Sequence, residues 1–214
     1  MVKFAVIGHP LTQSLSAVMH NAMLEHLGID GSYELLDTEQ EDLVTRVKQL
    51  KSQGYMGFNV TIPLKVPITL FLDGCDRLAD IAGCANTVKI MDDKTLYGYN
   101  TDIYGFQKAI PVEIQDKLKN NMVNFLRDSF DNVTFNLKQM QSLRDLSSSK
   151  MLVNSTPVGM RGKAMGVSPI EESILKTLME DAVVYDIVYN PLKTEFIKLA
   201  HKNGYKTITG LDMF

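Results

Sequence analysis

Four short segments carry side chains with which this sequence could do chemistry. "GFNVTIPLK", residues 57–65, sets Asn59 and Thr61 between Phe58, Val60 and Ile62 and places Lys65 two residues after Pro63. "HPLTQSLS", residues 9–16, brings Ser14 and Ser16 to the start of a helical pattern. "AGCANTV" carries Asn86, and "GYNTDIYGF" carries Asn100, Thr101 and Asp102. A lysine and an aspartate among neutral amides and hydroxyls suit acid–base work on a small polyhydroxylated acid. An ammonium group stabilises charge growing on an oxygen and delivers a proton to it. Hydroxyls beside the free N–H groups of a helix start receive a carboxylate or phosphate. Each segment also has a local explanation. Serine caps helices, Asn, Thr and Asp bond their own backbone in turns, and a strand closed by proline reads as an edge strand entering a solvated loop. His9 and His20 have no carboxylate or cysteine partner in register, so no metal site is expected.

The elements that must position these groups follow from hydrophobic periodicity. "VKFAVIG" is an apolar run closed by glycine, a buried strand. "SLSAVMHNAMLEHLG" reads as a helix with Ser16 as N-cap, Val18, Ala22, Met23 and His26 near one face, and Gly28 as its stop. "SYELLDT" alternates as a strand, and "EDLVTRVKQLKSQG" is an amphipathic helix with Leu43, Val47 and Leu50 inward. "YMGFNVTI" is a third strand, Val66 to Phe71 a helical stretch, and "NTVKIMDDKTLYGYNTD" a hairpin turning at Asp92-Asp93. In the second half, "KMLVNSTP" and "AVVYDIVY" read as buried parallel strands. Between them "SPIEESILKTLMED" is predicted to be a helix, with Ser168 as N-cap and Pro169 at its first position. "KTEFIKLAHKNG" is a further helix and "YKTITG" a last strand. This alternation predicts an α/β fold with parallel strands, and open sheets of that kind gather ligands at the carboxyl ends of their strands.

Composition narrows the function further. The chain has 214 residues, 45% hydrophobic and 22% charged, enough for one or two domains with real cores. A formal net charge of −3 offers no basic field for nucleic acid or an anionic membrane. No apolar run approaches the ~20 residues that cross a bilayer. Cys75 and Cys84 lack a metal-type spacing and read as reduced thiols of a cytoplasmic protein.

Six segments in order, "HPLTQSLSAVMHNAM", "GFNVTIPLK", "AGCANTV", "GYNTDIYGF", "VNSTPVGM" and "VYNPLKTEFIKLAHKNG", resemble the successive signatures of the shikimate dehydrogenase family. The resemblance implies reversible reduction of 3-dehydroshikimate to shikimate with NADPH. It implies an N-terminal α/β substrate domain, residues 1–104, and a C-terminal Rossmann-like NADP-binding domain, residues 105–214, with the active site in the cleft between them. By the same resemblance Lys65 and Asp102 would be the catalytic pair, and Ser14 and Ser16 would hold the substrate carboxylate. Asn59, Thr61, Asn86 and Asp102 would bind ring hydroxyls, and Tyr189 would reach the substrate from the second domain. Asn154, Ser155, Thr156, Pro157, Ile187, Gly210 and Met213 would lie near the dinucleotide. Arg127 would meet the 2′-phosphate of NADP; the plain alternative for it is a solvated surface arginine. The only expected partner is the small-molecule substrate, in a monomer or homodimer.

The resemblance breaks in one stretch. A dinucleotide-binding half needs strand, glycine-rich turn, helix and strand, yet no glycine stands between Val112 and Val153. "DKLKNN" resembles the lead-in to the family's first cofactor-domain strand, and "NFLRDSFDN" the end of its second. Two explanations are open: the complete chain carries a glycine-rich turn and helix near Asn120 to Met122, which is the expectation, or the chain is shortened there. Family members also continue past the counterpart of "GLDMF" into a helix with a substrate-binding glutamine. Three functions stay open on these residues: an NADP-dependent shikimate dehydrogenase, a quinate/shikimate dehydrogenase using NAD or NADP, and a shikimate-binding protein without a cofactor site.

Overall fold

The computed structural model describes residues 1–12, 14–110 and 143–213. Arg127 and the Asn120–Met122 join lie outside these residues. The chain divides into two compact units, Met1–Tyr104 and Gly105–Phe214.

In the first unit the order is β1 (Val2–Gly8), α1 (Ser16–His26), β2 (Gly31–Asp37), α2 (Leu43–Ser52), β3 (Gly57–Val60), a 3-10 turn (Pro67–Phe71), β4 (Gly74–Cys75), α3 (Arg77–Ala82), β5 (Thr87–Ile90) and β6 (Leu96–Tyr99). Helix α4 (Thr101–Ala109) follows, and the division between the units falls inside it. The strands form one sheet in the order β2-β1-β3-β5-β6-β4. β1 runs parallel to β2 and β3, and β5 runs antiparallel to both β3 and β6. Leu43, Val47 and Leu50 of α2 are buried, as their helical spacing predicts. They join Ile7, Phe58, Val60, Leu64, Ile68, Val88 and Leu96 in one apolar core. Gly8 is required where β1 ends, because a side chain there would overlap Thr61 and the Ile62 carbonyl. That close approach is closed by Thr61 N–H donating to Ile7 O and His9 N–H to Ile62 O, each at 2.9 Å.

Helix α1 departs from the sequence pattern. Ser16 is its first residue rather than its N-cap; Leu15 takes that position, with helical dihedrals and no side-chain cap. Val18, Ala22, Met23 and His26, expected to face inward, are exposed. Ala17 and Leu24 instead pack on Val6, Leu11 and Tyr33, and His20 stacks on the Tyr33 ring with centroids 4.2 Å apart. The cause is Asn21. Its side chain donates to Tyr33 O at 2.9 Å and accepts Tyr33 N–H at 2.8 Å. The helix is thereby locked to the open edge of β2, whose backbone groups need partners. Apolar residues lie on both sides of α1, so periodicity could not choose between its faces.

In the second unit β7 (Met151–Asn154), β8 (Val183–Asp186) and β9 (Lys206–Thr209) form a parallel sheet in that order. Helix α5 (Glu172–Leu175) precedes β8, and α6 (Glu195–Lys202) precedes β9. Expected from Ser168, α5 starts later and has only four residues. Ser168 does not cap it: its hydroxyl donates to Ile170 O at 2.7 Å, a local ring that competes with helix formation. α6 is capped as Thr194 permits, with its hydroxyl oxygen accepting the Ile197 N–H.

The fully buried Asp186 joins three parts of this unit. It accepts hydrogen bonds from Thr194 Oγ1 at 2.6 Å, Asn154 Nδ2 at 3.0 Å and Val188 N–H at 3.1 Å. Burial pushes its carboxyl above the usual value, against the lowering effect of those three bonds. Asp186→Ala strands three donors, so urea unfolding should show a loss of about 2–4 kcal/mol. Because the folded pKa is raised, Asp186 adds most stability below the ordinary aspartate value of 3.8 and loses it as pH rises through the folded value. The unfolding free energy of the wild type minus that of Asp186→Asn should therefore fall as pH rises from 3.8; a flat difference would contradict the shift.

Candidate active site

Sheet topology brings the polar segments of the first unit together. β1, β3 and β6 point one way and β5 the other. The residues after β1, β3 and β6 therefore meet those before β5 at one end of the sheet. Ser14 and Ser16, Thr61 and Lys65, Asn86, and Asn100 to Asp102 all belong to that end.

Lys65 Nζ donates to Asp102 Oδ2 at 2.5 Å. Both side chains stay within reach of solvent, 32% and 44% exposed. An ion pair this open adds only about 0–1 kcal/mol to stability, so the fold does not depend on it. Its geometry comes from backbone anchors. Leu64, fully buried, closes a turn back to Thr61 O at 2.8 Å, and Lys65 O accepts the Ala85 N–H at 2.9 Å. Asp102 sits in the first turn of α4, where Asn100 Oδ1 accepts the Ile103 N–H at 3.1 Å. Asn100 Nδ2 in turn donates to Cys84 O at 3.1 Å.

Asn86 is buried and holds the second oxygen of the carboxylate. Its Nδ2 donates to Asp102 Oδ1 at 2.8 Å and to Thr101 Oγ1 at 2.9 Å, while its Oδ1 accepts the Thr101 N–H at 2.8 Å. Asn59, half-buried, donates from Nδ2 to Thr87 Oγ1 at 2.9 Å and accepts the Tyr33 hydroxyl at 2.6 Å. Thr61 is half-buried beside it. Ser14 and Ser16 lie where α1 begins, and Ser14 Oγ accepts the Ser16 N–H at 3.3 Å. The loop that delivers them is tied to the end of β2. Asp37 takes His9 Nδ1 at 2.6 Å on one oxygen and the Leu11 N–H at 3.2 Å on the other. The Asp37 hydrogen bond raises the His9 imidazole above its usual pKa. Tyr33, Thr87 and Asp37 join this network although no sequence pattern selects them; each is an ordinary strand residue in its own segment.

In the second unit the candidate residues also follow strand ends. Ser155, Thr156 and Pro157 form an exposed turn after β7, and Thr156 bonds back to Asn154 Oδ1 through its N–H at 3.1 Å and its hydroxyl at 2.7 Å. Ile187 and Tyr189 follow β8. Gly210 and Met213 lie in the 3-10 turn after β9. A side chain at Gly210 would overlap the Ile187 carbonyl, so glycine lets these two loops meet.

Comparison with known proteins places this arrangement. The domain family described as shikimate dehydrogenase substrate binding domain matches residues 6–88. Shikimate dehydrogenase (NADP(+)) of Bacillus subtilis (strain 168) is 34% identical over 245 residues, covering 99% of this chain and 86% of the relative. The enzyme of the same name from Staphylococcus aureus (strain MSSA476) is 36% identical, covering 100% of this chain and 88% of the relative. Among solved structures, shikimate 5-dehydrogenase of Thermus thermophilus in complex with NADP(H) and shikimate superposes with a TM-score of 0.78 at 30% identity, over 100% of this chain and 88% of that one. A shikimate dehydrogenase in complex with NADP+ gives a TM-score of 0.83, also at 30% identity, over 100% of this chain and 85% of that one. The chain belongs to the shikimate dehydrogenase family. The match to the B. subtilis enzyme spans 245 positions against 214 residues here, so at least 31 aligned positions have no counterpart in this chain.

Asn86 is the most connected side chain of the site. Asn86→Ala removes the acceptor of the Thr101 N–H and a donor to Asp102, and should lower the unfolding free energy by about 1–3 kcal/mol in urea titration. An unchanged midpoint would mean that water replaces both bonds.

Proposed function

We propose that this protein catalyses the reversible NADP-dependent interconversion of shikimate and 3-dehydroshikimate, with Lys65 and Asp102 as its acid–base pair. The observation that carries the reading is the Lys65–Asp102 contact at the polar end of the sheet, in a chain 34% identical to a shikimate dehydrogenase over 99% of its length. When bound, NADP accepts or supplies the hydride. This chain's own residues handle the proton and the substrate. During reduction, negative charge grows on the carbonyl oxygen. The Lys65 ammonium stabilises it and transfers a proton from Nζ. Asp102, with Oδ1 held by Asn86, keeps Nζ in place and accepts a hydrogen bond from a ring hydroxyl. Ser14 and Ser16 hold the substrate carboxylate, and Asn59 and Thr61 bind ring hydroxyls. Asn86, whose amide is spent on Asp102, Thr101 and Thr87, holds the Asp102 carboxylate in place.

The residues of the second unit fit one half of the cofactor. Ser155 and Thr156 offer hydroxyls, and Ile187 and Met213 offer apolar edges, at the strand ends where such sheets bind ligands. The pyrophosphate half calls for N–H groups at a helix start behind a glycine-rich turn, and no glycine stands between Val112 and Val153. That gap favours a second reading, a shikimate-binding protein without turnover. Steady-state formation of NADPH from shikimate and NADP+, with NAD+ and quinate as controls, separates the two. Turnover supports the dehydrogenase; shikimate binding without turnover supports the binding protein.

Lys65→Ala should lower kcat by about 10² to 10⁴, the usual loss for a positioned proton donor. Normal kcat in this variant would remove Lys65 from the chemistry. Ser14→Ala combined with Ser16→Ala should raise the KM for shikimate more than it lowers kcat. The carboxylate lies away from the reacting carbon, so its contacts bind ground state and transition state alike. A double variant with the original KM would place the carboxylate elsewhere.

A further inference from the structure

A chain of hydrogen bonds runs from β2, at the edge of the sheet, to Asp102, and each donor points the same way. Tyr33 O–H donates to Asn59 Oδ1 at 2.6 Å, and Asn59 Nδ2 donates to Thr87 Oγ1 at 2.9 Å. Thr87 O–H donates to Asn86 Oδ1 at 3.3 Å, and Asn86 Nδ2 donates to Asp102 Oδ1 at 2.8 Å. Three groups that cannot reverse fix this direction. The Asp102 carboxylate only accepts. The Thr101 backbone N–H only donates, and it points at Asn86 Oδ1 from 2.8 Å. The Asn86 backbone carbonyl only accepts, and it lies 3.4 Å from Asn59 Nδ2. The nitrogen of Asn59 must therefore face β5 and its oxygen must face Tyr33.

Tyr33 is built to hold that end. It is buried, its ring stacks on His20, and its backbone is held on both sides by Asn21. Burial pushes its titration up, so the hydroxyl stays a donor at neutral pH. With Tyr33 on one lone pair of Oδ1 and both N–H groups of Nδ2 spent on Asn86 O and Thr87 Oγ1, Asn59 has one capacity left: a second lone pair. Asn86 likewise spends both N–H groups inside the protein.

We propose that Tyr33 is a positioning and specificity residue: with Asn59 oriented by the Asn86 carbonyl, the Tyr33 hydroxyl holds the amide oxygen in place with one lone pair free, so that this part of the site selects a ring hydroxyl that donates. The proposal rests on the polyol-binding reading given above. A site that must receive a donor rejects an analogue lacking one, because its own acceptor is left unpaired.

The test has two arms. Without ligand, ¹⁵N-resolved NMR of side-chain amides should show that Tyr33→Phe shifts the Asn59 Nδ2 resonances and, through Thr87, those of Asn86. With ligand, equilibrium binding compares shikimate with analogues in which one ring hydroxyl is replaced by fluorine, which cannot donate. The wild type should disfavour one of these analogues strongly, and Tyr33→Phe should narrow that preference by about three- to tenfold, the worth of one hydrogen bond. Thr87→Val, which cuts the chain on the other side of Asn59, should narrow it likewise and serves if Tyr33→Phe folds poorly. Asn59 resonances indifferent to both substitutions, or an unaltered analogue preference, would overturn the proposal. Failure of the wild type to bind shikimate would overturn the functional reading instead, and the ligand-free resonances would still decide the hydrogen-bond chain.

Discussion

Both oxygens of the Asp102 carboxylate are held, Oδ2 by the Lys65 ammonium and Oδ1 by the Asn86 amide. Much of the polar structure of the first unit serves that arrangement. Asn100 orders the helix turn that carries Asp102, Leu64 anchors the turn that carries Lys65, and Asn86 is fixed by the backbone of Thr101. The pair itself is too exposed to stabilise the fold appreciably. Its cost in ordering two side chains is met by the core and by the backbone turns around them. An ion pair held in reach of solvent by rigid neighbours stays accessible to a ligand, which is the property that the dehydrogenase reading uses.

The second unit uses a carboxylate differently. Asp186 is fully buried, and among the described residues its hydrogen-bond donors are all neutral. Burial opposes its charge, and three hydrogen bonds offset part of that penalty. It joins the end of β7, the loop after β8 and the start of α6. Asp186 thus sets the loops on which Asn154 to Pro157 and Ile187 to Tyr189 are presented. One carboxylate is structural because it is desolvated and centrally bonded; the other is available because it is not.

Much of the fold was legible because burial imposes a period on the sequence. The run that became β8 is buried throughout, that of β1 is buried along its second half, and the spacing of Leu43, Val47 and Leu50 reports one buried face. β7, expected to be buried, keeps Met151, Leu152 and Val153 half-buried, and β2 buries only Tyr33. Legibility failed where a polar side chain decided the outcome. Asn21 turned α1 onto the face opposite to the expected one by satisfying the open edge of β2. Ser168 spent its hydroxyl on Ile170 and shortened the helix expected there. The two-residue strand β4 and the six-residue helix α3 carry too few residues to register a period.

By itself the sequence determined the chemical inventory: a lysine, an aspartate, several amides and hydroxyls at the ends of elements, and an alternation of strands and helices that requires an α/β fold. It also determined that no glycine lies between Val112 and Val153, which bears directly on how a dinucleotide could be held. Only the tertiary structure decided which of those groups meet. Asn86 reaches Asp102 because β5 runs antiparallel to β3 and β6, which returns the start of one strand to the ends of the others. Strand direction is a property of pairing, and no local pattern encodes it. Tyr33 reaches Asn59 across the intervening β1, over 26 residues of sequence. Nothing in "GSYELLD" sets that tyrosine apart from any other strand residue, because its role is defined by the neighbour that folding places beneath its hydroxyl.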